Sequence, residues 1–267
     1  MAESNNKKKN GRGPLMTIAV AVFSITMVVA MLLPSLSLIF GGTQKDQTPK
    51  TVAEADAQYQ PQADELNKKL EANDKDLDAL STLGFTYYAW AGQVEQLSYS
   101  SISTGSEDAT TALADNQAHA QELYRNARDA FDRYLAIQDD ARVHEARIMC
   151  SYYLNEDGAV DEMAAYAEQS GSATAWADLG MMRMGAGESE LAKEAFNKAV
   201  EADPNDAQGA KSYAEQYLSY LQQLEDLQKQ AETAAAATTA AATTAATSAT
   251  SADAASTTTT EGESASK

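Results

Sequence analysis

Residues 173–206 read ATAWADLGMMRMGAGESELAKEAFNKAVEADPND. Trp176, Leu179 and Gly180 recur at the three- and four-residue spacing of one helix face, Gly185 to Gly187 interrupts the pattern, and Ala192, Phe196 and Ala199 resume it before Pro204. Two antiparallel helices are therefore expected. Gly180 and Ala192 are small where the pair must approach closely, Trp176, Leu179 and Phe196 fill the space around that approach, and Pro204 stops the second helix.

The same pattern can be traced outward. Leu80, Leu83, Gly84 and Tyr87 form an earlier first helix ending near Gly92, and its partner, with Ala127, Phe131 and Tyr134, arrives late. Residues 93–122 are inserted between them. Ser106 with Glu107 and Asp108 reads as an N-cap, so the insertion is expected to lengthen the second helix, whereas 93–105 is expected to be an irregular loop. Val143 to Gly171 makes a degenerate unit, with Met149, Cys150 and Tyr153 on its first helix and Met163 and Tyr166 on its second. Glu54 to Ala72 supplies a preceding helix, with Tyr59, Leu66 and Leu70 on one face. A following helix at 206–230 carries Tyr213, Tyr217, Tyr220, Leu224 and Leu227, and is read as a cap for the array, with homodimerisation through it the less favoured alternative. No stretch alternates with the period of a strand, so the fold class is all-α.

The joint placement of Trp176, Leu179, Gly180, Ala192, Phe196, Ala199 and Pro204 resembles the tetratricopeptide repeat of about 34 residues. Arg183 stands where that family usually has tyrosine. The resemblance implies a short helical solenoid of about three helix pairs plus flanking helices.

Outside the array the chain changes character. Lys7, Lys8, Lys9 and Arg12 stand against Glu3 in residues 1–14, and Leu15 to Phe40 carries no charge at all. That run exceeds the roughly 7 to 15 apolar residues of a secretory signal, and Leu15 to Leu33 alone nearly spans a hydrocarbon core of about 30 Å. The sequence thus predicts a transmembrane helix at 15–40, with 1–14 cytoplasmic and the rest extracytoplasmic by the positive-inside rule. A cleaved signal ending near Ser35-Leu36-Ser37 is the competing reading. Residues 41–51 read as a linker, 52–232 as the folded domain, and 233–267, almost wholly Ala, Thr and Ser, as a disordered tail without apolar residues to bury. The tail's hydroxyls would also suit O-glycosylation.

Charge and chemistry narrow the function. The formal net charge is −19, which removes the main electrostatic source of nucleic-acid affinity. A single cysteine, Cys150, excludes an intramolecular disulfide framework. His119 and His144 have no metal-ligand spacing, and His144-Glu145 lacks the second histidine of a zinc-protease helix. Asp74, Asp76 and Asp78 start like a calcium loop, but Ala79 and Phe85 stand where its glycine and terminal glutamate belong, so these carboxylates read as helix caps. No phosphate-binding loop or serine elbow occurs. No cofactor, no metal and no enzymatic activity are expected, and a hydrolase would need an unrecognised site.

In the tetratricopeptide family the first helices line a groove that holds a peptide or a partner's helix. The resemblance puts Ser81, Phe85 and Tyr88, then His144, Arg147 and Ser151, then Ala177, Met181 and Met184 in that groove. It implies a scaffold for a protein or peptide partner, which the apolar run at 15–40 would make membrane-anchored and extracytoplasmic, and the chain's overall plan is similar to bacterial tetratricopeptide ancillary subunits of the Sec translocon. A structural cell-envelope spacer or tether is the alternative.

Overall fold

A computed structural model describes residues 49–102 and 107–256, with side chains described over 49–99 and 112–236. Eight α-helices and no strand occur among the described residues: α1 Val52–Ala72, α2 Leu77–Ile102, α3 Glu107–Leu135, α4 Ala141–Tyr153, α5 Ala159–Ser170, α6 Ala173–Gly185, α7 Ser189–Ala202 and α8 Ala210–Ser256. The chain divides into two compact units, one up to Glu215 and one from Gln216 onward.

Local sequence sets the helix starts. The Thr51 hydroxyl accepts from the Glu54 amide at 3.2 Å, Asp76 from Ala79 at 3.0 Å, Asp140 from Val143 at 3.2 Å, and Ser172 from Ala175 at 3.3 Å. Each satisfies an amide that has no partner inside its helix. Asp76 therefore acts as the cap its sequence context suggests. Between α4 and α6 the chain turns at Asn155, Gly158 and Gly171, with φ of 56°, 86° and 64°; only the glycines adopt this left-handed region without a Cβ penalty. Asp203 ends α7, and its buried carboxylate accepts from the amides of Ala207 at 2.7 Å and Gln208 at 2.9 Å, holding the turn into α8.

In the first unit each helix from α1 to α7 packs on its neighbour in sequence, and the first helices α2, α4 and α6 also touch in series. Two pairs share one device. A Cβ on Gly180 would lie 2.6 Å from Cδ1 of Phe196, and one on Gly84 would meet the Phe131 ring in the same way. Both phenylalanines are fully buried. The missing side chain lets an aromatic ring of the second helix seat against the backbone of the first, and this fixes the close crossing of α2 with α3 and of α6 with α7. Leu83, Leu179, Ala127, Ala192 and Ala199 complete the two contacts, all buried.

Helix α1 closes the start of the array. Its Tyr59 stacks on Trp90, with ring centroids 6.1 Å apart, and its Asp56 accepts from the Trp90 indole at 2.8 Å while lying 3.0 Å from His119 Nε2 of α3.

Three expectations are corrected. The loop expected at 93–105 is helical through Ile102. Val94 and Ser98 are buried, as are Ala120, Leu123 and Tyr124 of α3. The insertion therefore lengthens both helices into one long hairpin that supplies its own apolar contact. The disordered tail expected from 233 is helical to Ser256. Alanine's helix propensity outweighs the Ser and Thr that were expected to interrupt each turn; Thr233 directs its hydroxyl back to the Lys229 carbonyl at 2.7 Å and stays within the helix. Residues 257–267 lie outside the described residues.

The membrane placement is the third. No helix among the described residues is long and apolar enough to cross a membrane. The transmembrane helix expected at Leu15 to Phe40, the cytoplasmic residues 1–14 and most of the linker 41–51 lie outside the described residues. The single-pass, extracytoplasmic localisation is accordingly withdrawn, and with it the likeness to translocon subunits.

The second unit consists of α8 from Gln216. Tyr217 and Leu221 are buried, whereas Tyr220 is 37% and Leu227 62% exposed. The expected seam at 213, 217, 220, 224 and 227 is thus split between a covered and an open face.

Candidate functional site: a tyrosine and carboxylate cluster on the first helices

Helices α2, α4 and α6 bring together side chains that lie far apart in sequence. Tyr88 of α2 meets Tyr124 of α3 edge-on, with ring centroids 5.8 Å apart, and Tyr153 of α4 at 6.1 Å. Tyr124 and Tyr153 stack at 4.8 Å with their planes 10° apart. These separations fall in the favourable range for aromatic pairs. Burial drives all three phenols well above the ordinary tyrosine range, and neighbouring carboxylates add to the effect. Tyr213, in the first turn of α8, is close enough to raise Tyr88 further.

Two carboxyls border the rings. Glu95 of α2 accepts from the Tyr124 hydroxyl at 3.3 Å, and burial pushes it up to about 7 against that hydrogen bond. Asp178 of α6 is pushed up to about 8, by burial first and then by the negative charge of Glu145. The negative charge of Asp178 in turn raises both Tyr88 and Tyr153. Glu145 is itself 8% exposed and accepts from Ser172 Oγ at 2.6 Å and Thr174 Oγ1 at 2.7 Å, which ties α4 to the start of α6. The arginines are directed elsewhere. Arg147 spans Asp132 at 3.0 Å and Glu162 at 2.7 Å, and Arg128 pairs with Glu156. Cys150 is fully buried near the cluster, and burial raises its thiol, so it is an inert packing group.

The nine groove residues expected from the family resemblance come from three helices that do adjoin. Tyr88, Ser151, Ala177, Met181 and Met184 are all buried, from 2% to 7% exposed. The apolar stripe therefore belongs to the interior and cannot serve as solvent-open anchors. Phe85 is half-covered, edge-on to Phe131 at 4.9 Å and beneath the Arg142 guanidinium at 4.8 Å. His144 stacks on Tyr166 and lies 2.9 Å from Asp139, and Arg147 is held as above. Ser81 is half-exposed. Glu95, Tyr124 and Asp178 were not among the expected residues. Tyr153 was placed on a first helix but not in the groove. No local motif marks them, because four different helices bring them together.

Together these features define an all-α array of helical hairpins whose first helices share a polar and aromatic face. No protein family profile and no curated protein matches the chain. Among solved structures, a crystal structure of MamA aligns with a TM-score of 0.38 and 16% identity, over 70% of this chain and 99% of that one. A second, of MamA protein, aligns with a TM-score of 0.29 and 16% identity, over 71% of this chain and 96% of that one. Likenesses this loose say nothing about function.

Proposed function

We propose that this protein is a non-catalytic scaffold of the tetratricopeptide kind, which binds a polypeptide partner across its first helices. The observation that carries this reading is the recurrence of one packing device, Gly84 under Phe131 and Gly180 under Phe196, in pairs whose first helices lie in series. Repetition of a hairpin unit builds a surface wider than any single helix can offer, and such surfaces suit extended peptides or helices. Both histidines support a structural use of the polar residues, His119 beside Asp56 and Trp90 and His144 between Asp139 and Tyr166.

The test is site-specific photocrosslinking. A photoreactive residue at Ser81 or His144, on the first helices, should capture a defined polypeptide from a protein extract. The same residue at Glu168 or Glu194, both exposed on second helices, should capture it far less. Capture only from Glu168 and Glu194 would place binding on the opposite helices and contradict the proposal.

A further inference from the structure

The apolar stripe left open on α8 is independent of the first-helix face on which the scaffold reading rests. We infer that it is a self-association surface: a second copy of this chain packs its own α8 against Tyr220, Leu224 and Leu227, with Ala231 and Ala234 continuing the contact.

The first ground is the regularity of the stripe. Ile137 and Leu191 are exposed singly and on different parts of the chain, as surface apolar residues commonly are. Tyr220 and Leu227 instead stand seven residues apart on one helix, 37% and 62% exposed, with half-buried Leu224 between them. Steps of four, three, four and three lead from Tyr220 through Leu224, Leu227 and Ala231 to Ala234, and both alanines are exposed. That is the heptad spacing by which two helices pair, and alanine at the seam lets their axes come close. Tyr217 and Leu221 lie on the neighbouring stripe and are already buried.

The second ground is charge, and it selects the occupant. Between Gln216 and Ala236 the charged residues are Glu225, Asp226, Lys229 and Glu232. At about 100° per residue, each lies about 120° or more around the helix from the middle of the stripe. The bordering positions hold Gln223, Gln228 and Gln230, neutral amides that both donate and accept, and so suit an identical rim in either direction. A chain of net charge −19 repels its own copies, so a self-contact has to fall where charge is absent. This stripe meets that condition. A basic partner helix would call for acidic residues at the border, and none stands there. Tyr220 to Ala234 fills about two heptads, so the dimer is expected to be weak and reversible. On the scaffold reading, joined copies would carry the first-helix face twice and hold a partner with two binding segments by avidity.

Sedimentation equilibrium of the full chain, from about 1 to about 200 µM at low and high salt, tests the contact. The mass should rise from that of one chain toward that of two, and association should tighten with salt, because screening removes the repulsion between acidic copies. Leu224→Glu combined with Leu227→Glu should weaken it about a hundredfold or more, with circular dichroism reporting whether the helices persist. Ala231→Glu, at an exposed position outside the core, should weaken it as well, whereas Lys229→Ala, on the far side of the helix, should leave it within a few-fold. A chain that stays monomeric throughout would overturn the inference. So would association that survives both glutamate variants, since the copies would then meet elsewhere, or association that weakens as salt is added, since charge would then carry it. Each of these outcomes leaves the scaffold reading standing.

Discussion

At Gly180 the absence of a side chain is a positive structural requirement. Phe196 is fully buried and its ring occupies the space a Cβ would need. Gly180→Ala should destabilise the protein by about 1–3 kcal/mol, in the range of overpacking, despite alanine's better helix propensity. Adding Phe196→Leu should recover part of that loss, and denaturant melts of the single and double variants check it. A Gly180→Ala variant at least as stable as the parent would mean that the ring is free to move aside. The inner carboxyls give a second prediction. In the unfolded chain Glu95 and Asp178 ionise in the ordinary carboxylate range, but in the fold they keep their protons until about 7 and about 8. Between those limits the folded state binds more protons, so stability is fully present below the ordinary range and falls as pH rises through 7 and 8. For Glu95 alone the loss is on the order of 3 kcal/mol. Thermal melts from about pH 5 to about pH 9 should show a declining midpoint, and Glu95→Gln with Asp178→Asn should flatten the decline.

At the scale of elements, the sequence disclosed hairpins better than it disclosed their lengths. Gly84, Gly180, Phe131 and Phe196 were legible because side-chain size at a helix crossing is a local pattern, and the pairing follows from it. The helical run through residues 93–102 was not legible. Its polar composition reads as a loop, and Val94 and Ser98 are buried in a helix that packs along α3. The helical course of α8 to Ser256 was missed for the opposite reason. The tail has no apolar residues to bury, yet an alanine-rich helix forms from backbone hydrogen bonds and propensity. Of the expected caps, Asp76 bonds the Ala79 amide three residues ahead, whereas Ser106 lies outside the described residues.

At the scale of the whole molecule, packing between neighbouring helices decides which first-helix residues are buried, and repeat position alone does not reveal it. Tyr88, Met181 and Met184 occupy groove positions by family register yet are buried. Asp178 lies next to Ala177 in sequence, and no local pattern marks it, although its charge acts on Tyr88 of α2 and Tyr153 of α4. The proposed scaffold function depends on those first helices acting as one surface. Hydrogen–deuterium exchange of the full chain, with and without a bound polypeptide, tests that dependence most directly. Exchange should slow in α2, α4 and α6 together, with α5 and α7 little changed; slowing confined to α3, α5 and α7 would contradict the scaffold function.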